Sequence, residues 1–255
     1  MTTKSNKKLM NLLSLHLPGT VLLGSWLEKN GFSRDLLQYY LKSGWLKSYG
    51  FGAYIRPNEE VQWTGALNSL QRQAELKVHS GGLTSISLHG LSHYVRMQEE
   101  PLHLFSPLYV KLPKWFLNQE WSGQIQHVKT KFLPTDFALT EYSVDGLKIQ
   151  VSSPERAILE CLYLIPNRFD IVECYQIFEG LVNLRPKILQ ELLENCNSIK
   201  VKRLFLFMAD KANHQWLDFV DQSGIELGNG DRVIVKGGVY ISQYKISVPK
   251  ELSAQ

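Results

Sequence analysis

Closely spaced cysteines are missing from this sequence of 255 residues. Cys161, Cys174 and Cys196 are an odd set of three, without the short Cys-x-x-Cys spacing that zinc sites and redox motifs need. They are expected to be reduced core thiols of a cytoplasmic protein. Long apolar runs are missing too: none approaches the roughly 18 residues of a membrane span, and the opening Met1-Thr-Thr-Lys-Ser-Asn-Lys-Lys8 is polar rather than leader-like. Both absences argue against secretion and membrane insertion. There is no internal repeat and no low-complexity tract, and the length allows two domains.

A recognisable catalytic set is also absent. His89 and His93 stand four apart on an expected helix, a spacing that fits metal ligands. However, no glutamate follows His89 where a zinc protease holds its base, and no third ligand is evident, so packing roles are expected. His79, His103, His127 and His214 are isolated and read as surface or packed side chains. Gly228-Asn-Gly-Asp-Arg232 and Lys236-Gly-Gly238 lack the Gly-Lys-Ser/Thr that opens a helix beneath a phosphate loop, and read as turns. The pairs Glu59-Glu60 and Glu99-Glu100 lie in polar connectors and are expected to be solvated. Ser152 and Ser153 precede Pro154 and Glu155, a helix-starting combination, and no Gly-x-Ser-x-Gly elbow makes either a nucleophile. The expectation is therefore no catalytic residue, no metal, no cofactor and no enzyme.

What the sequence does have is charge of one sign at one end. Residues 1–57 hold eight lysines and arginines against Glu28 and Asp35, a net of +6; the whole chain is +4, so the remainder carries −2. Such an excess suits a polyanion, although a solvated lysine face gives the same count. Leu9, Leu12, Leu13 and Leu17 recur at helical spacing. Pro18-Gly19 breaks that helix, Thr20 is placed to cap a second with Leu22, Leu23, Trp26 and Leu27 inward, and Ser33 to cap a third. In the third, Leu36, Leu37, Tyr40 and Leu41 lie inward, Arg34, Gln38, Tyr39 and Lys42 point away, and Gly44 ends it. Leu46–Tyr49 and Ala53–Arg56 then read as a hairpin turned by Gly50 and Gly52 and closed by Pro57.

Three short helices followed by a small hairpin make a winged helix-turn-helix, whose third helix is the expected reader of the major groove. Arg34 and Gln38 suit bidentate contacts to guanine and adenine edges. Lys42, Lys47 and Ser48 suit phosphates, Tyr39 and Tyr49 suit stacking or backbone contacts, and Ser33 and Arg56 complete the candidate DNA-binding set. A winged helix that binds protein, or a plain packing module, fits the same pattern. Beyond Pro57 the chain reads as a mixed domain, residues 58–255. Helices are expected over Val61–Val78, Ser85–Tyr94, Pro154–Ile165, Ile171–Leu181, Pro186–Asn195 and Ser198–Ala212. Strands are expected at Leu102–Phe105, Tyr109–Leu112, Ile125–Phe132 and Leu147–Val151, with a terminal hairpin within Ile225–Val248. The fold class is α+β. A nuclease or other hydrolase delivered to DNA by the first domain is the alternative for the second.

Four segments resemble one family: Gly52-Ala-Tyr-Ile-Arg-Pro57, Ser87-Leu-His-Gly-Leu91, Ser153-Pro-Glu-Arg-Ala-Ile-Leu-Glu160, and Val201-Lys-Arg-Leu-Phe-Leu-Phe207 leading to Leu227-Gly-Asn-Gly-Asp-Arg232. In this order they resemble the AbiE-type abortive-infection antitoxins, the AbiEi regulators of type IV toxin–antitoxin systems. The resemblance implies a cytoplasmic antitoxin and transcriptional autorepressor. Its winged helix would bind double-stranded promoter DNA at inverted repeats, and its larger domain would counter a nucleotidyltransferase-like toxin, with direct contact between the two not required in all members. His89, Glu155 and Arg156 fall in the shared segments and are assigned structural roles.

Overall fold

The structure, a computed structural model, describes residues 3–91 and 100–253, and these fall into two compact units. The first comprises residues 1–79, 109–125 and 141–150; the second comprises 80–108, 126–140 and 151–255.

The first unit begins with α1 (Thr3–Leu15), β1 (Leu22–Leu23), α2 (Gly24–Lys29), α3 (Arg34–Lys42), β2 (Lys47–Gly50) and β3 (Ala53–Ile55). The strands form an antiparallel sheet in the order β1-β3-β2, completing a winged helix-turn-helix. Leu12, Leu22, Leu27, Phe32, Leu37, Tyr40 and Leu46 fill its core. Ser33 caps α3 as expected, its side chain accepting from the Leu36 N–H at 3.3 Å. Leu22 and Leu23 depart from expectation. They pair with Tyr54 and Ala53 as a strand instead of opening α2, because an apolar pair carries no period of its own and the open edge of β3 takes it. Thr20 accordingly caps nothing; its hydroxyl donates to the Leu17 carbonyl at 2.6 Å. Leu17 itself lies beyond α1 and is exposed.

The first unit runs past Pro57. In α4 (Trp63–Arg72) the Ser69 hydroxyl accepts from the Val21 N–H at 3.0 Å, and just beyond it Gln73 bonds both the Leu23 N–H and the Val21 carbonyl. These side chains satisfy backbone groups around β1 that no further strand pairs. Gly65 faces the Gly19 carbonyl so closely that a Cβ there would overlap it. The expected helix to Val78 stops at Arg72; Glu75 takes a positive φ and the chain extends toward His79. Nor is Glu59 simply solvated: its carboxylate meets the buried His16 ring at 2.6 Å and Arg56 at 3.7 Å.

The main sheet has the order β6-β5-β4-β8-β7, from β4 (His79–Ser80), β5 (Leu102–Ser106), β6 (Ile125–Lys129), β7 (Leu139–Val144) and β8 (Leu147–Ser152). β4 runs parallel to β8, with Ser80 opposite Val151. Tyr109–Leu112 is not a strand, since Pro107 and Pro113 bracket it and neither can donate to a ladder. In the second unit the buried helix Pro154–Leu164 is surrounded by Gly82–Leu88, Ile171–Glu179, Pro186–Glu194 and Ile199–Lys211 in one apolar core. The tail differs from the expected hairpin. β10 (Val239–Ile241) and β11 (Ile246–Val248) pair across a turn at Lys245, and β11 then runs parallel to β9 (Arg232–Val233), so the glycines stand outside the hairpin turn.

Candidate nucleic-acid interface

The outward face of α3 follows from its period. With Leu37 and Tyr40 buried, Arg34, Gln38, Tyr39 and Lys42 are left exposed. The Ser33 hydroxyl is occupied by the helix cap. Arg34 is tied across the turn to Glu28 of α2, Nε to Oε1 at 2.9 Å, with the arginine side chain 84% exposed. The hydrogen bond to Glu28, then its charge, raises the guanidinium pKa. An exposed pair of this kind adds little to stability and is readily exchanged for another anion. Because the bond uses Nε, both terminal nitrogens stay available for a bidentate contact.

The wing is built less simply than its sequence implies. Lys47 and Ser48 are exposed, and a bulge between Ser48 and Gly50 turns Tyr49 inward, leaving it half-buried. Its ring lies 6.4 Å from that of Trp115, and its carbonyl accepts from Gln119 at 3.2 Å. Burial pushes its phenol pKa up. Trp115 and Gln119 belong to the segment 109–125 of the same unit, with Trp115 on the short helix Lys114–Leu117. Arg56 lies past the end of β3, beside Glu59 rather than at the wing tip.

Sequence reading missed Phe51. It stands between Gly50 and Gly52 at the wing tip and is 99% exposed. The signal was present, since a residue flanked by two glycines in a tight turn points outward. Trp115 and Lys111 could not have been found that way, because folding brings them from far along the chain. Arg34, Gln38, Phe51, Lys111, Trp115 and Glu28 share the wall of one groove of about 600 Å³.

The remaining candidates for chemistry have structural partners. His89 Nε2 lies 2.9 Å from the Ser152 carbonyl, while His93 and Glu99 fall outside the described residues. Ser152 donates to Glu160 at 2.7 Å; Ser153 occupies the N-cap position, but its side chain makes no capping bond, a departure from the expected hydroxyl cap. Glu160 also accepts from the Gly82 N–H and from Arg156 Nε, and Arg156 reaches the carbonyls of Pro134 and Phe137. Glu155 pairs with Arg185. Arg203, 1% exposed, donates to the carbonyls of Leu227, Gly228, Gly230 and Lys245. The glycine turn thus presents carbonyls to a buried guanidinium. The cysteines are buried, and burial raises the pKa values of Cys174 and Cys196. Among the described residues no group of three or more His, Cys, Asp or Glu is placed to hold a metal ion. No described helix is long and apolar enough to cross a membrane.

Comparison with known proteins accords with this geometry. The family model described as transcriptional regulator, AbiEi antitoxin, type IV TA system matches residues 99–249, and that of the AbiEi antitoxin N-terminal domain matches residues 5–97. No curated protein matches the chain. In fold it is similar to the crystal structure of the RV2827C protein from Mycobacterium tuberculosis, at 14% identity and a TM-score of 0.61, over 96% of this chain and 92% of that one.

Proposed function

We propose the following function from the premise that the chain belongs to the AbiEi family of type IV antitoxins, a family of transcriptional regulators and not of enzymes. The protein acts in the cytoplasm as an autorepressor. Its winged helix binds inverted repeats in the double-stranded DNA of its own promoter, and the rest of the chain counters a nucleotidyltransferase-like toxin.

The observation that carries the DNA-binding reading is the outward face of α3. Arg34 and Gln38 stand one helical turn apart, both exposed and both on the groove beside the wing. Arginine matches the O6 and N7 acceptors of guanine, and glutamine the donor and acceptor of adenine. Lys42, Lys47 and Ser48 supply donors for phosphates, which fix register without reading sequence. Tyr39 and Phe51 offer aromatic contacts, and Ser33 and Arg56 serve mainly to hold α3 and the end of β3. Tyr49 contributes by bracing the wing against Trp115.

Binding of promoter duplex by Arg34→Ala and Gln38→Ala proteins tests this. Each should lose about 1 to 3 kcal/mol of discrimination against a scrambled duplex. Lys42→Ala should weaken binding to both duplexes alike. Unchanged selectivity in both α3 variants would remove that helix as the reader.

A further inference from the structure

A second cleft, of about 580 Å³, lies wholly within the second unit. Its wall includes His127, Lys129, Tyr163, Asn167, Arg168 and Lys200, and none of its described lining residues is a carboxylate. Lys200 is oriented there by backbone: its ammonium donates to the Tyr163 carbonyl at 2.7 Å and to the Ile165 carbonyl. Two of its three N–H donors are spent in this way, and the positive charge has no acidic partner in the wall. Lys200 and His127 are both partly withdrawn from water, and each has a further cation close by. Burial and then the charge of Arg232 lower the Lys200 pKa to about 8, and burial and then Lys129 lower that of His127 to about 4.

We propose that this cleft binds the phosphate group of a small phosphorylated molecule. Cations gathered without carboxylates form a site whose charge an anion completes, and phosphate accepts charge-assisted bonds from lysine and arginine together. The volume lies in the range of small-molecule pockets, roughly 300 to 1,000 Å³. The aromatic side chain present is not a stacking platform for bases. The Tyr163 ring stacks on Phe132 at 4.3 Å, and the Lys200 ammonium lies over it at 5.5 Å from the centroid. Single-stranded nucleic acid is commonly held by open aromatic faces, so recognition here centres on the phosphate rather than on a base.

The test is calorimetric titration of the full chain with inorganic pyrophosphate, with magnesium-free ATP and with a short oligothymidylate. Lys129 and Arg168 are exposed, so Lys129→Ala and Arg168→Ala should fold normally, which thermal melting checks. Saturable binding of pyrophosphate and ATP is expected, weakened about tenfold by each substitution, the worth of one charge-assisted contact. The Arg34→Ala protein should bind both ligands as wild type does, which separates this site from the winged helix. Absence of saturable binding, or affinity unchanged in both cleft variants, overturns the proposal. So does oligothymidylate binding that is tighter than pyrophosphate and sensitive to the same substitutions, since the occupant would then be a nucleic-acid backbone.

Discussion

Glu160 ties its own helix to Gly82 and to Ser152 with one carboxylate. It accepts from the Gly82 N–H, the Ser152 hydroxyl and Arg156 Nε while fully buried, and Arg156 in turn bonds two carbonyls of the preceding loop. Removing one partner of such a network strands the others without water. Glu160→Ala should therefore cost about 3 to 5 kcal/mol in urea unfolding, and a loss below about 1 kcal/mol would contradict the network. Glu155 makes a prediction in pH. Burial pushes its pKa up, but the Arg185 guanidinium and other hydrogen bonds outweigh burial and bring it from 4.5 down to about 2. A carboxylate depressed on folding stabilises fully above its unfolded value and loses that contribution as pH falls through the folded one. Stability should thus decline between about pH 4.5 and 2, and the Glu155→Gln protein should show a shallower decline there. The sequence placed Glu155 correctly in the first turn of a helix, but Arg185 lies 30 residues away and no local pattern connects them.

At the scale of elements, the wing shows what a local reading captures and what it omits. Gly50 and Gly52 take positive φ, as the hairpin pattern requires. Gly50 has a second reason to be glycine, because a Cβ there would lie 2.7 Å from that of Trp115. Gly50→Ala should therefore destabilise the first unit by about 1 to 3 kcal/mol through backbone strain and overpacking. Amide exchange in β2 and β3 should accelerate, and unchanged protection there would show that the wing does not lean on Trp115. The strand β7 was legible and missed: Val144-Asp-Gly-Leu147 is a hairpin turn, and Asp145 and Gly146 both take positive φ. β1 was not legible, since two leucines show no period and only the edge of β3 assigns them. The helices 171–179 and 186–194 agree closely with their sequence pattern, because each buries one apolar face, and 199–211 agrees in extent although it is buried without a break from Val201 to Ala209.

On the scale of the whole molecule, the charge asymmetry and the order of the family segments were visible before the fold. The way the chain divides was not. A boundary at Pro57 follows the composition, but the first unit also takes in α4, residues 109–125 and residues 141–150. Pairings such as Asn68 with the Lys148 carbonyl, 80 residues apart, leave no local mark. Some of the basic excess at the N-terminus also has structural work: Lys8 donates to the Gly31 carbonyl and lies over the Phe32 ring, which leaves fewer lysines for a polyanion. Binding to DNA should then depend on the cations that stay exposed near α3 and the wing. The direct measurement is the affinity of the full chain for duplex DNA from its own upstream region, taken across a series of salt concentrations. If these exposed cations neutralise phosphates, log affinity falls linearly with log salt, with a slope of about −0.9 for each phosphate neutralised. No measurable binding, or an affinity indifferent to salt, would contradict it.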